Sequence, residues 1–158
     1  MKGGRVTSLE VGRNVDDLMG LLSQTGDDQN FGALDSIDLI TIDESSPELK
    51  SRQLATIRNL VAHQNPKTRL LAVKALASYQ DLDNIPPLIY ALTDPEPQIV
   101  VRANESLMQI SRKFNDKQYL LPDKFKPNDS NVENVRKRWV EWYFTVQPDG
   151  ELFRPTAQ

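Results

Sequence analysis

An all-α protein, built as a short stack of helical hairpins with one further helix closing it, is the architecture these 158 residues predict. Three observations lead there. Apolar residues recur at helical spacing, the chain repeats itself at an offset of 31 residues, and proline-bearing breakers separate the copies.

The repeat emerges from self-comparison. Arg69 to Leu76 lies over Val100 to Leu107, with Ala72 on Ala103, Ala75 on Ser106 and Leu76 on Leu107. The same offset sets Pro66 on Pro97, Ile57 on Leu88 and Val61 on Leu92, so a helix preceding each of these segments keeps register too. A second offset, of 39, places Ala33-Leu34-Asp35-Ser36-Ile37 under Ala72 to Leu76 and Leu18-Met19-Gly20-Leu21-Leu22 under Ile57 to Val61, which makes a third copy. The extra length falls in the connection from Thr41 to Pro47, where Asp, Ser and Pro form turns and Ser46-Pro47 opens a helix.

Within the copies, Leu54, Ile57, Leu60 and Val61 form one stripe, and Leu71, Ala72, Ala75, Leu76 and Tyr79 another. Small residues at Ala72, Ala75, Ala103 and Ser106 allow close helix approach. Asn65-Pro66 and Asp94-Pro95-Glu96-Pro97 end one helix and begin the next.

These residues resemble HEAT repeats, in the variant of bacterial HEAT-like and phycobilisome-lyase-like proteins. The resemblance rests on Leu88-Ile89-Tyr90-Ala91-Leu92-Thr93-Asp94-Pro95-Glu96-Pro97 and on Ala103 with Ser106-Leu107, and it spans residues 14–114. It implies an α-α superhelix, a solenoid of about three hairpins. The chain departs from the family at Val100, where an arginine is frequent and Arg69 supplies one in the preceding copy, and at Asn104, where a small apolar residue is usual. Residues 1–13 read as an N-terminal tail and 115–146 as a loop and capping helix, with Val132, Val135, Trp139, Trp142 and Tyr143 on one side. A repeat stack needs such an end to shield its core. Residues 147–158 read as an extended or frayed tail after the Gln147-Pro148-Asp149-Gly150 turn.

Composition is that of a globular chain: 39% hydrophobic and 26% charged residues, enough for one domain. The absence of cysteine removes disulfides, thiolate metal sites and cysteine nucleophiles. No signal-peptide core follows the basic start, and no run reaches the roughly 18 apolar residues of a membrane span, so a cytoplasmic location is expected. Net charge is −3, but residues 1–50 hold four Lys/Arg against ten Asp/Glu while residues 51–158 hold fifteen against twelve. That surplus is thin for a nucleic-acid footprint.

Candidate chemistry is sparse. His63 is the single histidine, so a two-histidine metal site is excluded, and its place at a helix end favours hydrogen bonding to the last carbonyls over catalysis. Asp27-Asp28, Asp43-Glu44 and Glu48 stand near helix starts, where negative charge is stabilising, instead of forming a cation site. Arg112, Lys113, Lys117, Lys124, Lys126, Arg136, Lys137 and Arg138 gather in the C-terminal third beside Phe114, Tyr119, Phe125 and Trp139, with Arg136, Lys137 and Arg138 as a basic patch able to meet phosphate. Asp116, Asp123, Asp129 and Glu133 lie among them, which favours a solvated surface of mixed charge. Trp139 and Trp142 read as cap core before interface anchors. Asn104-Glu105-Ser106 and Asn128-Asp129-Ser130 match the glycosylation pattern by chance, and no glycine-rich phosphate loop is present.

The function these observations predict is a non-catalytic adaptor that offers its stacked second helices as a concave surface to another protein. Arg52, Thr56, Asn59, Tyr90 and Lys50 are the expected contact residues, with no cofactor, no metal and no nucleic acid. The family resemblance also implies rivals: a phycobilisome-lyase-like or DNA-glycosylase-like enzyme or subunit. A further alternative is the C-terminal fragment of a larger repeat protein.

Overall fold

The computed structural model describes residues 45–112 and 116–155, together with the backbone at 13–14 and 40–41. Five helices make up the described fold: α1 (Pro47–Leu60), α2 (Pro66–Ala77), α3 (Ile85–Ala91), α4 (Pro97–Ser111) and α5 (Ser130–Val146). Single 3-10 turns lie at Leu82–Asn84 and Lys117–Tyr119. A two-residue parallel pairing sets Arg13 opposite Ile40 and Asn14 opposite Thr41, extended backbone that the all-helical reading lacked. The expected first hairpin, Leu18 to Leu22 and Ala33 to Ile37, lies outside the described residues, as do Asp27, Asp28, Asp43, Glu44, Lys113 and Phe114.

Helix starts follow local chemistry. Ser46 is extended and its Oγ accepts the Leu49 N–H at 3.0 Å, while Pro47 fills a first-turn position where no amide donor is needed. Asn65 Oδ1 accepts the Lys67 N–H at 2.9 Å ahead of Pro66, and Pro97 opens α4 behind an extended Glu96. The end of α4 is less orthodox. Arg112 takes a left-handed φ of 53°, unfavourable for a side chain with a Cβ. It is held there by Gln80, whose amide, turned so that its oxygen faces the guanidinium, accepts from Nε at 3.0 Å and from Nη2 at 2.7 Å.

Residues paired by the 31-residue offset share their burial: Ile57 and Leu88, Val61 and Leu92, Ala72 and Ala103, and Leu76 and Leu107 are all buried. α1 packs on α2, α3 on α4, and α2 lies directly against α4. Ala72 and Ala103 are fully buried, and at such positions only a small side chain leaves room for two backbones to approach. Ser106 satisfies its hydroxyl by donating to the Arg102 carbonyl at 2.8 Å, with the Val73 carbonyl of α2 at 3.3 Å. Covered by α1 on one side and α4 on another, α2 buries Leu70, Leu71, Ala72, Val73, Ala75 and Leu76, a far wider surface than its sequence stripe.

One departure from the repeat is internal. Thr68 occupies the place of Ile99; both are buried, yet the Thr68 hydroxyl has no hydrogen-bond partner among the described residues.

α5 closes the described fold through Val132, Val135, Trp139 and Tyr143, which join the same hydrophobic core as the hairpins. Trp139 is fully buried and donates from Nε1 to Asn104 Oδ1 at 2.8 Å, while Asn104 Nδ2 donates to the Tyr119 carbonyl at 2.9 Å. The Tyr119 and Trp139 rings lie 4.5 Å apart, and Trp142 meets Trp139 edge-on at 5.7 Å. Both tryptophans therefore belong to the closing core. Asn104 is buried with both amide atoms engaged, which rules out its side chain as a glycosylation acceptor in the folded protein.

The described part of the tail, to residue 155, is extended and docked. The Gly150 N–H donates to the Gln147 carbonyl at 2.9 Å, and the chain then passes so close to Tyr143 that a Cβ on Gly150 would overlap the phenol. Phe153 packs edge-on against Tyr90 with ring centroids 5.2 Å apart.

Two stability outcomes follow from this packing. Ala72→Leu or Ala103→Leu is expected to cost about 1–3 kcal/mol in urea denaturation by overpacking a fully buried site, whereas Ala55→Leu on the exposed side of α1 stays near neutral. Equal tolerance at the three positions contradicts this packing. Thr68→Val removes a buried hydroxyl with no partner among the described residues, so its midpoint should stay level or rise, and a loss of more than about 1 kcal/mol would show that the hydroxyl is hydrogen-bonded after all.

Candidate partner-binding site

Two equivalent turns frame the site. His63-Gln64-Asn65 connects α1 to α2, and Asp94-Pro95-Glu96 connects α3 to α4. Their geometry repeats at the same offset: His63 Nδ1 accepts the Asn65 N–H at 3.0 Å, as Asp94 Oδ1 accepts the Glu96 N–H at 2.9 Å. The imidazole thus acts as an acceptor that shapes the turn, not as a donor to the end of α1. Backbone groups serve the α1 carbonyls instead, with Ala62 N–H on Asn59 and His63 N–H on Leu60.

Arg69 joins the turns. Its Nε and Nη2 hold Asp94 Oδ2 at 2.7 Å and Oδ1 at 3.1 Å, while Nη1 donates to the His63 and Gln64 carbonyls at 2.9 and 3.0 Å. With side chains only 13% and 4% exposed, neither charge has much water, and the bidentate geometry supplies what water does not. Around this pair lies a cleft of about 180 Å³ lined by Val61, Ala62, His63, Arg69, Tyr90, Thr93, Asp94 and Pro95. Thr93 Oγ1 donates to the Tyr90 carbonyl at 2.6 Å, fixing the wall on the α3 side.

The position equivalent to Arg69 is Val100, which is fully buried. An arginine there would need a carboxylate from the turn of a following hairpin, and the segment that follows α4 is the closing turn and α5.

The expected contact residues sit on the helix that precedes each proline-led helix, the first of each hairpin. Arg52, Thr56 and Asn59 belong to α1 and Tyr90 to α3, because α2 is too enclosed to present a polar side. Arg52, Thr56 and Asn59 share one face of α1 by their spacing of four and three, and Asn59 and Tyr90 are equivalent at the 31-residue offset. Arg52 and Asn59 are exposed, and Thr56 and Lys50 are half-buried. Thr56 Oγ1 donates to the Arg52 carbonyl at 3.1 Å and Asn59 Nδ2 to that of Ala55 at 3.2 Å. Sequence reasoning missed Arg58, which donates from Nε to Asn84 Oδ1 at 2.7 Å and from Nη2 to Asp81 Oδ2 at 3.3 Å, tying α1 to the turn before α3. It also missed Phe153. Neither residue has a local pattern that announces its partner.

The basic residues of the C-terminal third are not brought to one point. Arg136 holds Glu133 through Nε at 3.0 Å and Nη2 at 2.7 Å, a hydrogen bond that keeps the Glu133 carboxyl below the usual range. Arg138 donates from Nη1 to Gln118 Oε1, and Arg112 is engaged with Gln80. Lys137 is exposed between them, and successive helical residues point about 100° apart, so Arg136, Lys137 and Arg138 fan around α5. Of the acidic candidates, Glu48 stands in the first turn of α1. Among the described residues no group of three His, Asp or Glu side chains is arranged to hold a metal, and no helix is long and apolar enough to cross a membrane.

Comparison with protein-family models, with curated proteins and with solved structures finds no match for this chain.

Removing one member of the buried pair exposes the energetics of the site. Asp94→Ala should cost about 3–5 kcal/mol, since Arg69 keeps its charge in a nearly dry place, and the double change Arg69→Met, Asp94→Leu should recover part of that loss. Thermal and denaturant midpoints of the three proteins check this. A double variant no more stable than Asp94→Ala refutes a direct coupling between the two residues.

Proposed function

We propose that this chain is a HEAT-like, non-catalytic adaptor whose short α-α superhelix presents the first helices of its hairpins to another protein. The observation that carries the reading is the repeated turn linked by Arg69 and Asp94. Two hairpins built on one plan, each with its turn shaped by the side chain at the same repeat position, are joined by an ion pair from one copy into the next. Such a stack gains stability from neighbour contacts and offers a long outer surface for recognition.

A holding role also suits the chemistry of the cleft. The Arg69 guanidinium spends its donors on Asp94 and on two carbonyls, and His63 Nδ1 is occupied by a backbone amide, so these groups serve the turns themselves. The α1 residues Arg52, Thr56 and Asn59, continued by Tyr90 on α3, are the surface we assign to the partner. A nucleic-acid role is disfavoured by the fanned arrangement of Arg136, Lys137 and Arg138 and by the carboxylate already held by the first.

The test uses the full chain with a photoreactive residue at position 52 or 59 in cells of its source. A protein partner crosslinked at these positions, and lost in an Arg52→Glu, Asn59→Glu variant with unchanged circular dichroism, is the expected result. DNA binding that weakens steeply with salt and disappears in an Arg136→Glu, Lys137→Glu, Arg138→Glu variant would replace the adaptor reading with nucleic-acid recognition.

A further inference from the structure

We propose that the face of α3 around Tyr90 is a docking site for an extended protein segment bearing an aromatic anchor, and that residues 151–155 of this chain occupy that site in cis. The tail has neither helix nor strand from residue 151 to 155, and its side chains divide sharply. Phe153 is half-buried and packs on Tyr90, while Glu151, Leu152, Arg154 and Pro155 are exposed. A segment that served only to seal the core would bury more than one side chain in five. One ring set against Tyr90 and the edge of the hydrophobic core is instead the pattern of a single-anchor ligand.

The tail's path is set just upstream. The Gly150 turn on Gln147 and the passage of Gly150 against Tyr143 aim the chain along α3, and the Tyr143 phenol is pushed up by burial and by the Asp83 carboxylate, with a backbone hydrogen bond from Glu151 opposing. Beyond that point, among the described residues, Phe153 is the side chain packed on the fold. Tyr90 is shared between this contact and the cleft, whose Arg69 and Asp94 are already paired. A ligand that displaces Phe153 therefore gains an aromatic wall without breaking the buried ion pair. The inference deepens the adaptor reading and rests on it only for the existence of a protein partner.

The probe is a fluorescein-labelled peptide of the chain's own residues Gly150 to Pro155, titrated with the full chain and with its Phe153→Ala variant. A tethered competitor acts at an effective concentration on the order of millimolar. Unmasking a site of sub-millimolar affinity should therefore tighten peptide binding by about threefold or more in Phe153→Ala. A peptide with alanine in place of its phenylalanine should not bind, and a photoreactive phenylalanine there should crosslink to α3. Equal binding to both proteins, absence of binding to Phe153→Ala up to millimolar concentration, or crosslinks away from α3 overturns the proposal. So does loss of the helical spectrum in Phe153→Ala, which would make Phe153 part of the core and not a displaceable anchor. Partner crosslinks on α1 do not bear on this titration, so failure of the adaptor reading and failure of the Tyr90 site are read separately.

Discussion

The approach of α2 to α4 is the contact on which the described fold is organised. The two helices are close enough for the Ser106 hydroxyl to reach the Val73 carbonyl at 3.3 Å, and Ala72 and Ala103 are fully buried. Polar ties line the contact: Arg69 to Asp94 at the start of α2, Ser106 near the Val73 carbonyl in the middle, and Gln109 donating to the Ala77 carbonyl at 3.2 Å toward the end. Close packing supplies non-directional attraction, while the hydrogen-bonded groups select one register out of several that the apolar faces alone would accept. α1 and α3 then cover the remaining sides.

The closing segment solves a problem that this arrangement creates. The second hairpin leaves an apolar side uncovered, and α5, packed against α3 and the Lys117–Tyr119 turn, closes it. Asn104 is the pivot, accepting from the Trp139 indole and donating to the Tyr119 carbonyl. Replacing it by alanine would remove the hydrogen bonds that it makes to the indole and to the carbonyl, a cost of about 1 kcal/mol each. The polar residue in an apolar row is thus a consequence of ending the stack.

The surface left over has two characters. α1 presents a polar face through Arg52, Thr56 and Asn59, and α3 presents an aromatic one where Tyr90 meets Phe153. They are linked by the repeat offset, since Asn59 and Tyr90 hold equivalent places in successive hairpins. Part of the candidate site was legible beforehand, because helical spacing alone sets Arg52, Thr56 and Asn59 on one face. That they ride on the helix before Pro66 was legible too, since Asn65-Pro66 separates them from α2; that α2 is covered on its far side was not, because it depends on α4. The basic residues of α5 illustrate the reverse: adjacent in sequence, they diverge in space by the turn of the helix.

Sequence alone determined the helices of the two described hairpins, their Ser-Pro, Asn-Pro and Glu-Pro starts, the 31-residue equivalence and the one-sided apolar face of α5, all of which arise from interactions within a few residues or from periodicity. Tertiary structure decided the roles of Arg69, Asn104, His63 and Phe153. Arg69 finds Asp94 across 25 positions and Asn104 finds Trp139 across 35, separations at which no local pattern survives. His63 looks like a helix-end donor until the turn presents the Asn65 amide to it. The tail looks unattached until Gly150, lacking a Cβ, slips past Tyr143 and carries Phe153 onto Tyr90. The physical reason is common to all four: a hydrogen-bond donor or an aromatic ring shows in sequence only its own chemistry, and its partner is chosen by the packing of helices remote along the chain.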